Sequence, residues 1–342
     1  MSRRIAILGS GAQGAGIGAD FVRAGLDVTF IEQWPAHVEA IRERGIEVRM
    51  PAATEVTRVP AFHLCDVATM RVPFDMVFLL VKAYDTVWSC ELIKPLLTPE
   101  SVVVGLQNGL SIDDVASVVG EDRTIGAVIQ MASNMFEPGI SNRQTPPNES
   151  WFAVGALRPE NRAKAEAVKW VLSHAGTVEV SDDIRSAKWM KLVANAGELV
   201  PSAILDLALE DAMNLPGVHE FMIECGREAA RAAVIDGAKL VPIFGLTDDD
   251  VTTPEQYAED LLGRVRSHFS LPDTRTTVLQ DWMKGRHSEV DEVNGLVSEI
   301  SARAGVAAPF NAHTRKLAHM IEQGTLTRSP SNVELLPNVG GL

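Results

Sequence analysis

Ile5-Ala-Ile-Leu-Gly9-Ser-Gly11-Ala-Gln-Gly14 is the stretch on which the fold turns. Its apolar start reads as a buried strand, and the G-x-G-x-x-G opens directly onto a helical pattern at Ala15–Ala24. Gly9 makes the tight turn, Gly11 lets the backbone approach a pyrophosphate, and Gly14 lets helix and strand pack closely. The pyrophosphate would rest on the helix N-terminus, where unpaired N–H groups and the dipole favour an anion. Gly9, Gly11, Ala12, Gln13 and Gly14 are therefore the candidate cradle of a dinucleotide. A second strand, Val28–Ile31, leads to Glu32, roughly where an acidic residue accepts a ribose 2′-hydroxyl. Glu32 would repel the 2′-phosphate of NADP, and the nearest following arginine is Arg42, so NAD is favoured and NADP is second choice.

Working outward, further short runs rich in β-branched residues read as buried strands: Met76–Leu80, Val102–Gly105 and Thr124–Ile129. Helical stretches alternate with them at Ala36–Glu43, Asp85–Lys94 (stopped by Pro95) and Ile112–Val119. That rhythm predicts a doubly wound parallel sheet, an α/β Rossmann domain. Weaker strands are expected at Trp151–Val154 and Thr177–Val180. From about Ser186 the texture turns helical: Ala187–Ala196, Val218–Asp236, Pro254–His268 and Glu289–Ala304, with Asp281–Lys284 leading into the last. The reading is a Rossmann domain over residues 1–180 and an all-α domain over 181–342, with a loosely ordered tail from Ser329.

Composition narrows the function classes. Of 342 residues, 46% are hydrophobic and 22% charged, as in a globular protein. A formal charge of −14 argues against a nucleic-acid or anionic-membrane surface, both of which need a basic face. No apolar run approaches the length of a membrane span, and the first apolar run is too short for a signal peptide, so a cytoplasmic location is expected. Cys65, Cys90 and Cys225 lack disulfide or metal spacing and read as small buried hydrophobes. No metal site is indicated; Asp248-Asp-Asp250 lacks the spacing of a calcium loop.

Several further blocks carry a resemblance. Leu80-Val-Lys82, Gln107-Asn108-Gly109-Leu110, Lys188-Trp-Met-Lys191-Leu-Val-Ala-Asn195 and Thr277–Asp281 running on to Gly285-Arg286-His-Ser-Glu289 and Asn294-Gly295 follow the glycine turn in order. Together they resemble the ketopantoate reductase (2-dehydropantoate 2-reductase) family, within the 6-phosphogluconate dehydrogenase superfamily. The resemblance implies reduction of a small 2-oxo acid by hydride transfer from a nicotinamide, in a cleft between the two domains. It implies Lys191 as the general acid, Asn195 as a substrate-orienting residue and Glu289 as an acid touching the lysine or a substrate hydroxyl. Asn108 and Lys82 match residues near both cofactor and substrate, and Thr277 stands where the family usually has a substrate-contacting serine. Independently, Lys191 and Asn195 are i, i+4 on one helix and so share a face.

Three features depart from the family pattern. Leu199 replaces a second asparagine one turn beyond Asn195, which turns a polar substrate contact apolar. Gln33, preceded by Glu32, replaces the arginine of NADP-linked members. The stretch from Asp236 to Thr276 is longer than in the smallest members. These favour a relative of 2-dehydropantoate, with oxidation as a possible direction. Rival readings are an opine- or β-hydroxyacid-type dehydrogenase and a non-catalytic NAD-binding sensor. His287 reads as a rim residue facing away from Glu289 on a helix, and His313 and His319 as structural histidines. Surplus apolar surface on the later helices suggests a homodimer.

Overall fold

The computed structural model describes residues 3–268 and 274–337, and the chain divides into two compact units, Met1–Arg185 and Ser186–Leu342.

The first unit contains β1 (Arg4–Leu8), α1 (Ala12–Arg23), β2 (Asp27–Glu32), α2 (Pro35–Arg44), β3 (Ile46–Arg49), β4 (Thr54–Thr57), β5 (Ala61–His63), β6 (Phe74–Leu79) and α3 (Thr86–Ile93). It continues with β7 (Leu97–Gly105), α4 (Ile112–Val119), β8 (Thr124–Gln130), β9 (Ser133–Glu137), β10 (Ile140–Arg143), β11 (Trp151–Ala156), α5 (Arg162–Leu172) and β12 (Thr177–Val180). Eight strands form one sheet in the order β12-β11-β8-β7-β6-β1-β2-β5. Every neighbouring pair is parallel except β11 against β8. Alternation along β1 explains the two layers of helix. Ile5 and Ile7 pack with Phe30, Phe78, Ile17, Phe21 and Val168 on one face, beneath α1 and α5. Ala6 and Leu8 pack with Leu79, Ile93 and Val115 on the other, beneath α3 and α4. Both faces are covered, so the strands need no polar side.

A second sheet, β4-β3-β10-β9, was not legible in the sequence. Its strands are four or five residues long and partly exposed, so they lack the continuous apolar runs of the main sheet. Arg143, at the end of β10, is fully buried and ties this sheet to α1. It pairs with Asp20 and donates to the Thr145 and Ala175 carbonyls and to Ser150 Oγ.

The second unit is helical: α6 (Ile184–Ile204), whose first two residues belong to the first unit, then α7 (Leu209–Met213), α8 (Val218–Ile235), α9 (Pro254–His268), α10 (Thr277–Met283), α11 (Leu296–Arg303) and α12 (Pro309–Glu322). Four expectations need correction. The helix expected at Ala187–Ala196 runs through Pro201, because only the 197 carbonyl loses its donor there and packing carries the rest. The helix expected from Glu289 begins as a π-helical turn at Asp291–Gly295, and Glu289 lies in the turn before it, so the argument that His287 and Glu289 face apart on a helix does not apply. The tail is ordered into a 3-10 turn at Pro330–Leu335, anchored by Asn332 Nδ2 donating to the Ile204 carbonyl; residues 338–342 lie outside the described residues. Part of the long Asp236–Thr276 stretch, residues 269–273, also lies outside them. Cys65 is exposed, against expectation, whereas Cys90 and Cys225 are buried. No helix among the described residues is long and apolar enough to cross a membrane.

Candidate active site

In the first unit, the candidate residues collect at the carboxyl ends of neighbouring strands. The order β6-β1-β2 places the chain reversal beside β1, where open α/β sheets bind ligands. Gly9 follows β1 with φ +93°, a conformation that glycine takes without steric cost, and its N–H donates to the Ile31 carbonyl at 2.9 Å. A Cβ on Gly14 would lie 2.2 Å from the Gly9 carbonyl oxygen, so only glycine allows this packing. A Cβ on Gly11 would meet nothing within 4 Å, so the space beside it is open. Gly11 caps α1 without any side-chain hydrogen bond, leaving the first-turn N–H groups of Ala12, Gln13 and Gly14 for an anion. Gln13 Nε2 donates to the Met131 carbonyl at 3.2 Å, and Ser141 Oγ to the Ala12 carbonyl at 2.7 Å. These bonds fix that turn against β8 and β10.

Glu32 is 6% exposed and firmly held. Its Oε1 accepts the N–H groups of Gln33 and Trp34 at 2.9 and 3.0 Å, and its Oε2 accepts Ser10 Oγ at 3.2 Å. His37, which the sequence reading passed over, completes the frame. Its Nδ1 accepts the Gly139 N–H at 2.8 Å, so Nε2 must carry the proton that it gives to the Ser10 carbonyl at 2.8 Å. Burial lowers the His37 pKa, against the opposing pull of Glu32, and keeps the ring neutral. The glycine-rich turn is thus clamped from β2, α2 and the β9–β10 turn. The open space at Gly11, the uncapped helix start and the placed carboxylate fit a dinucleotide.

Lys82 and Asn108 follow β6 and β7 and are both half-buried. They are linked through Gln107, whose Nε2 donates to the carbonyls of Val81 and Lys82 at 2.9 and 3.3 Å and to Thr86 Oγ1 at 2.9 Å. Ser111 Oγ donates back to Gln107 Oε1 at 3.0 Å. Gln107 is therefore a brace that sets both loops.

In the second unit, Lys191 and Asn195 sit on α6, and the structure adds Glu198 to them. At about 100° per residue, Asn195 lies about 40° and Glu198 about 20° from Lys191, on either side of it. Lys191 stands 4.9 Å from the centroid of the Phe244 ring. Burial lowers its pKa, while the nearby Glu198 pulls it back up. Glu198 is 6% exposed, and burial pushes its carboxyl up to about 8 against the attraction of Lys191. Among the described residues, the buried Asn195 Nδ2 and Glu198 Oε1 have no hydrogen-bond partner. Thr277 Oγ1, in the first turn of α10, is also buried without one. Its neighbour Thr276 joins α10 to α6, donating from Oγ1 to the Leu199 carbonyl at 2.8 Å. Glu289 is buried.

Sequence reasoning missed Glu198, because an isolated glutamate in a helix reads as solvated until its burial is known. It missed Phe244 because the signal is a torsion: φ +57°, held by Arg264 donating to the carbonyls of Phe244 and Gly245 at 3.2 Å each. A third omission lies behind α6. Asn294, in the π turn, donates to the Ala196 carbonyl at 3.0 Å and to Asn311 Oδ1 at 2.8 Å. Asn311 in turn donates to Cys225 O and Glu228 Oε2, and Glu228 accepts the Phe310 and Asn311 N–H groups at the start of α12. This buried network holds α6 at the Ala196 carbonyl, one residue beyond Asn195. No cluster able to hold a metal ion occurs among the described residues.

Comparison with known proteins fits this arrangement. Residues 5–156 match the family described as Ketopantoate reductase PanE/ApbA, and residues 183–322 its C-terminal counterpart. The 2-dehydropantoate 2-reductase of Pyrococcus horikoshii is 26% identical over 317 residues, covering 90% of this chain and 94% of that protein. That of Lactococcus lactis is 24% identical over 328 residues, covering 94% and 98%. The crystal structure of a PanE/ApbA family ketopantoate reductase from Ralstonia eutropha superposes with a TM-score of 0.79 at 27% identity, covering 94% of this chain and 99% of that one. D-mandelate dehydrogenase, at 21% identity, shares the fold with a TM-score of 0.83 over 94% of this chain and 99% of its own. The chain belongs to the ketopantoate reductase family of NAD(P)-dependent oxidoreductases.

Proposed function

We propose that the protein interconverts a small 2-oxo acid and its 2-hydroxy acid with NAD as the preferred cofactor, and that Lys191 is the general acid and base. The observation that carries this reading is the polar face of α6: a desolvated lysine beside Asn195 Nδ2, a buried donor without a partner. Orphaned buried donors are rare, and one beside a lysine of lowered pKa marks a place for a polar ligand. The cofactor, when bound, supplies or accepts the hydride. Gly9, Gly11, Ala12, Gln13 and Gly14 would hold its pyrophosphate and Glu32 its adenosine ribose, with Lys82 and Asn108 close to its reactive end.

The chain's own work is then acid–base chemistry and orientation. In reduction, the Lys191 ammonium gives a proton to the oxygen of the former carbonyl; in oxidation, the neutral amine takes it back. Desolvation brings that exchange towards neutral pH, because it disfavours the ammonium. Asn195 donates to the substrate, and Glu289 and Thr277 complete the polar wall. The preference for NAD rests on Glu32, fixed by three hydrogen bonds where a 2′-phosphate would sit. D-mandelate dehydrogenase, which shares the fold, has been solved with NADH. The exposed Val234 and Ile235 at the end of α8 support a homodimer, which light scattering checks.

The test is turnover of 2-dehydropantoate and other 2-oxo acids with NADH or NADPH, for wild type and Lys191→Ala. Loss of about 10²–10⁴ in kcat, with NADH binding retained, is the expected result. A Lys191→Ala enzyme as fast as wild type removes the lysine from the mechanism.

A further inference from the structure

Leu199 suggests a lost polar contact, yet the geometry of α6 restores one. Leu199 lies about 80° around the helix from Lys191. Its side chain packs in the apolar cluster formed with Leu279, Leu317 and Trp282. Glu198 lies between Leu199 and the lysine in sequence but much closer to the Lys191 meridian in space. Glu198 is 6% exposed, and its Oε1 has no hydrogen-bond partner among the described residues. Asn195 is 3% exposed, and its Nδ2 is likewise without one. No ion pair joins Glu198 to Lys191 among the described residues, although Lys191 is the charge that bears on it. Two unpartnered buried polar atoms on one helix face, three residues apart, cost stability unless something else satisfies them.

Their chemistry restricts that something. Asn195 Nδ2 only donates, and Glu198 Oε1 offers an acceptor. An ammonium only donates and cannot meet Asn195, whereas a hydroxyl accepts from Asn195 and can either donate to a Glu198 carboxylate or accept from its protonated form. We infer that Glu198 is a substrate-contacting, specificity-determining residue that reads, together with Asn195, a substrate hydroxyl other than the reacting oxygen. This rests on the reading of α6 as the substrate face. The polar contact that Leu199 lacks is thereby moved one residue back along the helix. A carboxyl held protonated near neutrality also avoids placing a negative charge beside an anionic substrate.

The test compares a matched pair, 2-dehydropantoate and 3,3-dimethyl-2-oxobutanoate, which lacks its hydroxyl. Wild type, Glu198→Gln and Glu198→Ala are assayed with NADH, with NADH binding and thermal melting measured alongside. Wild type is expected to favour the hydroxylated acid in kcat/KM by tenfold or more. Glu198→Ala should lose about tenfold to a hundredfold on that substrate and at most about threefold on the other. Glu198→Gln, of nearly equal size, should recover part of the loss and carries the test if the alanine variant does not fold. Equal losses on both substrates, no loss, or a wild type indifferent to the hydroxyl each overturn the assignment while leaving the proposed function intact. Turnover of neither acid, with NADH binding intact, overturns the proposed function and the assignment with it.

Discussion

The proposed function gives Glu32 two roles that its variants should separate. One is structural: its carboxylate gathers the N–H groups of Gln33 and Trp34 and the Ser10 hydroxyl. Glu32→Ala removes all three acceptor contacts. Gln33 is exposed and Trp34 half-buried, so water replaces part of the loss at their N–H groups, whereas Ser10 is fully buried. With about 0.5–1.5 kcal/mol for each ordinary hydrogen bond, the expected cost is about 2 kcal/mol, or roughly 4–8 °C in the melting temperature of a unit this size. Glu32→Gln keeps an acceptor oxygen of the same reach and should lose less than about 1 kcal/mol.

The second function is electrostatic. A 2′-phosphate about 4 Å from the carboxylate meets a repulsion of about 4 kcal/mol per unit charge at an effective dielectric constant of 20, an upper figure that movement and salt reduce. A preference for NADH over NADPH of about tenfold to a hundredfold is therefore expected, falling to within about threefold in both variants. The assay is titration of each cofactor by nicotinamide fluorescence, paired with thermal melting. The two readouts should part: selectivity collapses in both variants, and stability falls mainly in Glu32→Ala. Equal stability of Glu32→Ala and wild type refutes the bracing role, and a wild type that prefers NADPH refutes the reading of Glu32 as the selector.

Glu198 predicts a pH dependence. Burial raises its folded pKa to about 8, so the folded state holds a proton that the unfolded state releases near its ordinary value of 4.5. Its contribution to stability is full below pH 4.5 and is lost as pH rises towards 8, so the stability difference between wild type and Glu198→Gln should drift against wild type over that window; a flat difference in denaturant unfolding refutes this. Asn294→Leu should cost about 2–4 kcal/mol, because it strips a donor from the buried Ala196 carbonyl and Asn311 Oδ1, and it should lower kcat through α6; unchanged unfolding and kcat count against the network. Gly14→Ala should abolish NADH binding or folding, since its Cβ cannot coexist with the Gly9 carbonyl; a variant that binds NADH as wild type does removes Gly14 from the turn's geometry. Arg143→Met should cost about 3–5 kcal/mol, because it leaves Asp20 charged and buried with only Arg23 beside it; a small change in unfolding free energy refutes the buried pair as an anchor of the second sheet.

What was legible in the sequence follows how local each cause is. The turn from Gly9 to Gly14 was readable because its reasons act within a few residues: a positive φ, a missing Cβ, a helix start. Seven of the eight strands of the main sheet were readable because burial on both faces forces continuous apolar runs, whereas the three-residue, half-buried edge strand β5 was not. β3, β4, β9 and β10 were not, because short half-buried strands alternate too briefly to register, and what secures one of them is Arg143, which composition alone assigns to the surface. The same contrast holds on α6. Lys191 and Asn195 were visible through spacing and resemblance, whereas Glu198 falls on the same helix face but acquires its meaning only from burial. Its unpartnered oxygen, and that of Thr277, depend on what packs around them, which is a property of the folded chain rather than of any window of sequence. Sites that break local rules are where folded proteins deviate for function. A carboxyl placed in a dry helix face beside a lysine is such a deviation, and it is the reason to look for the substrate's hydroxyl there.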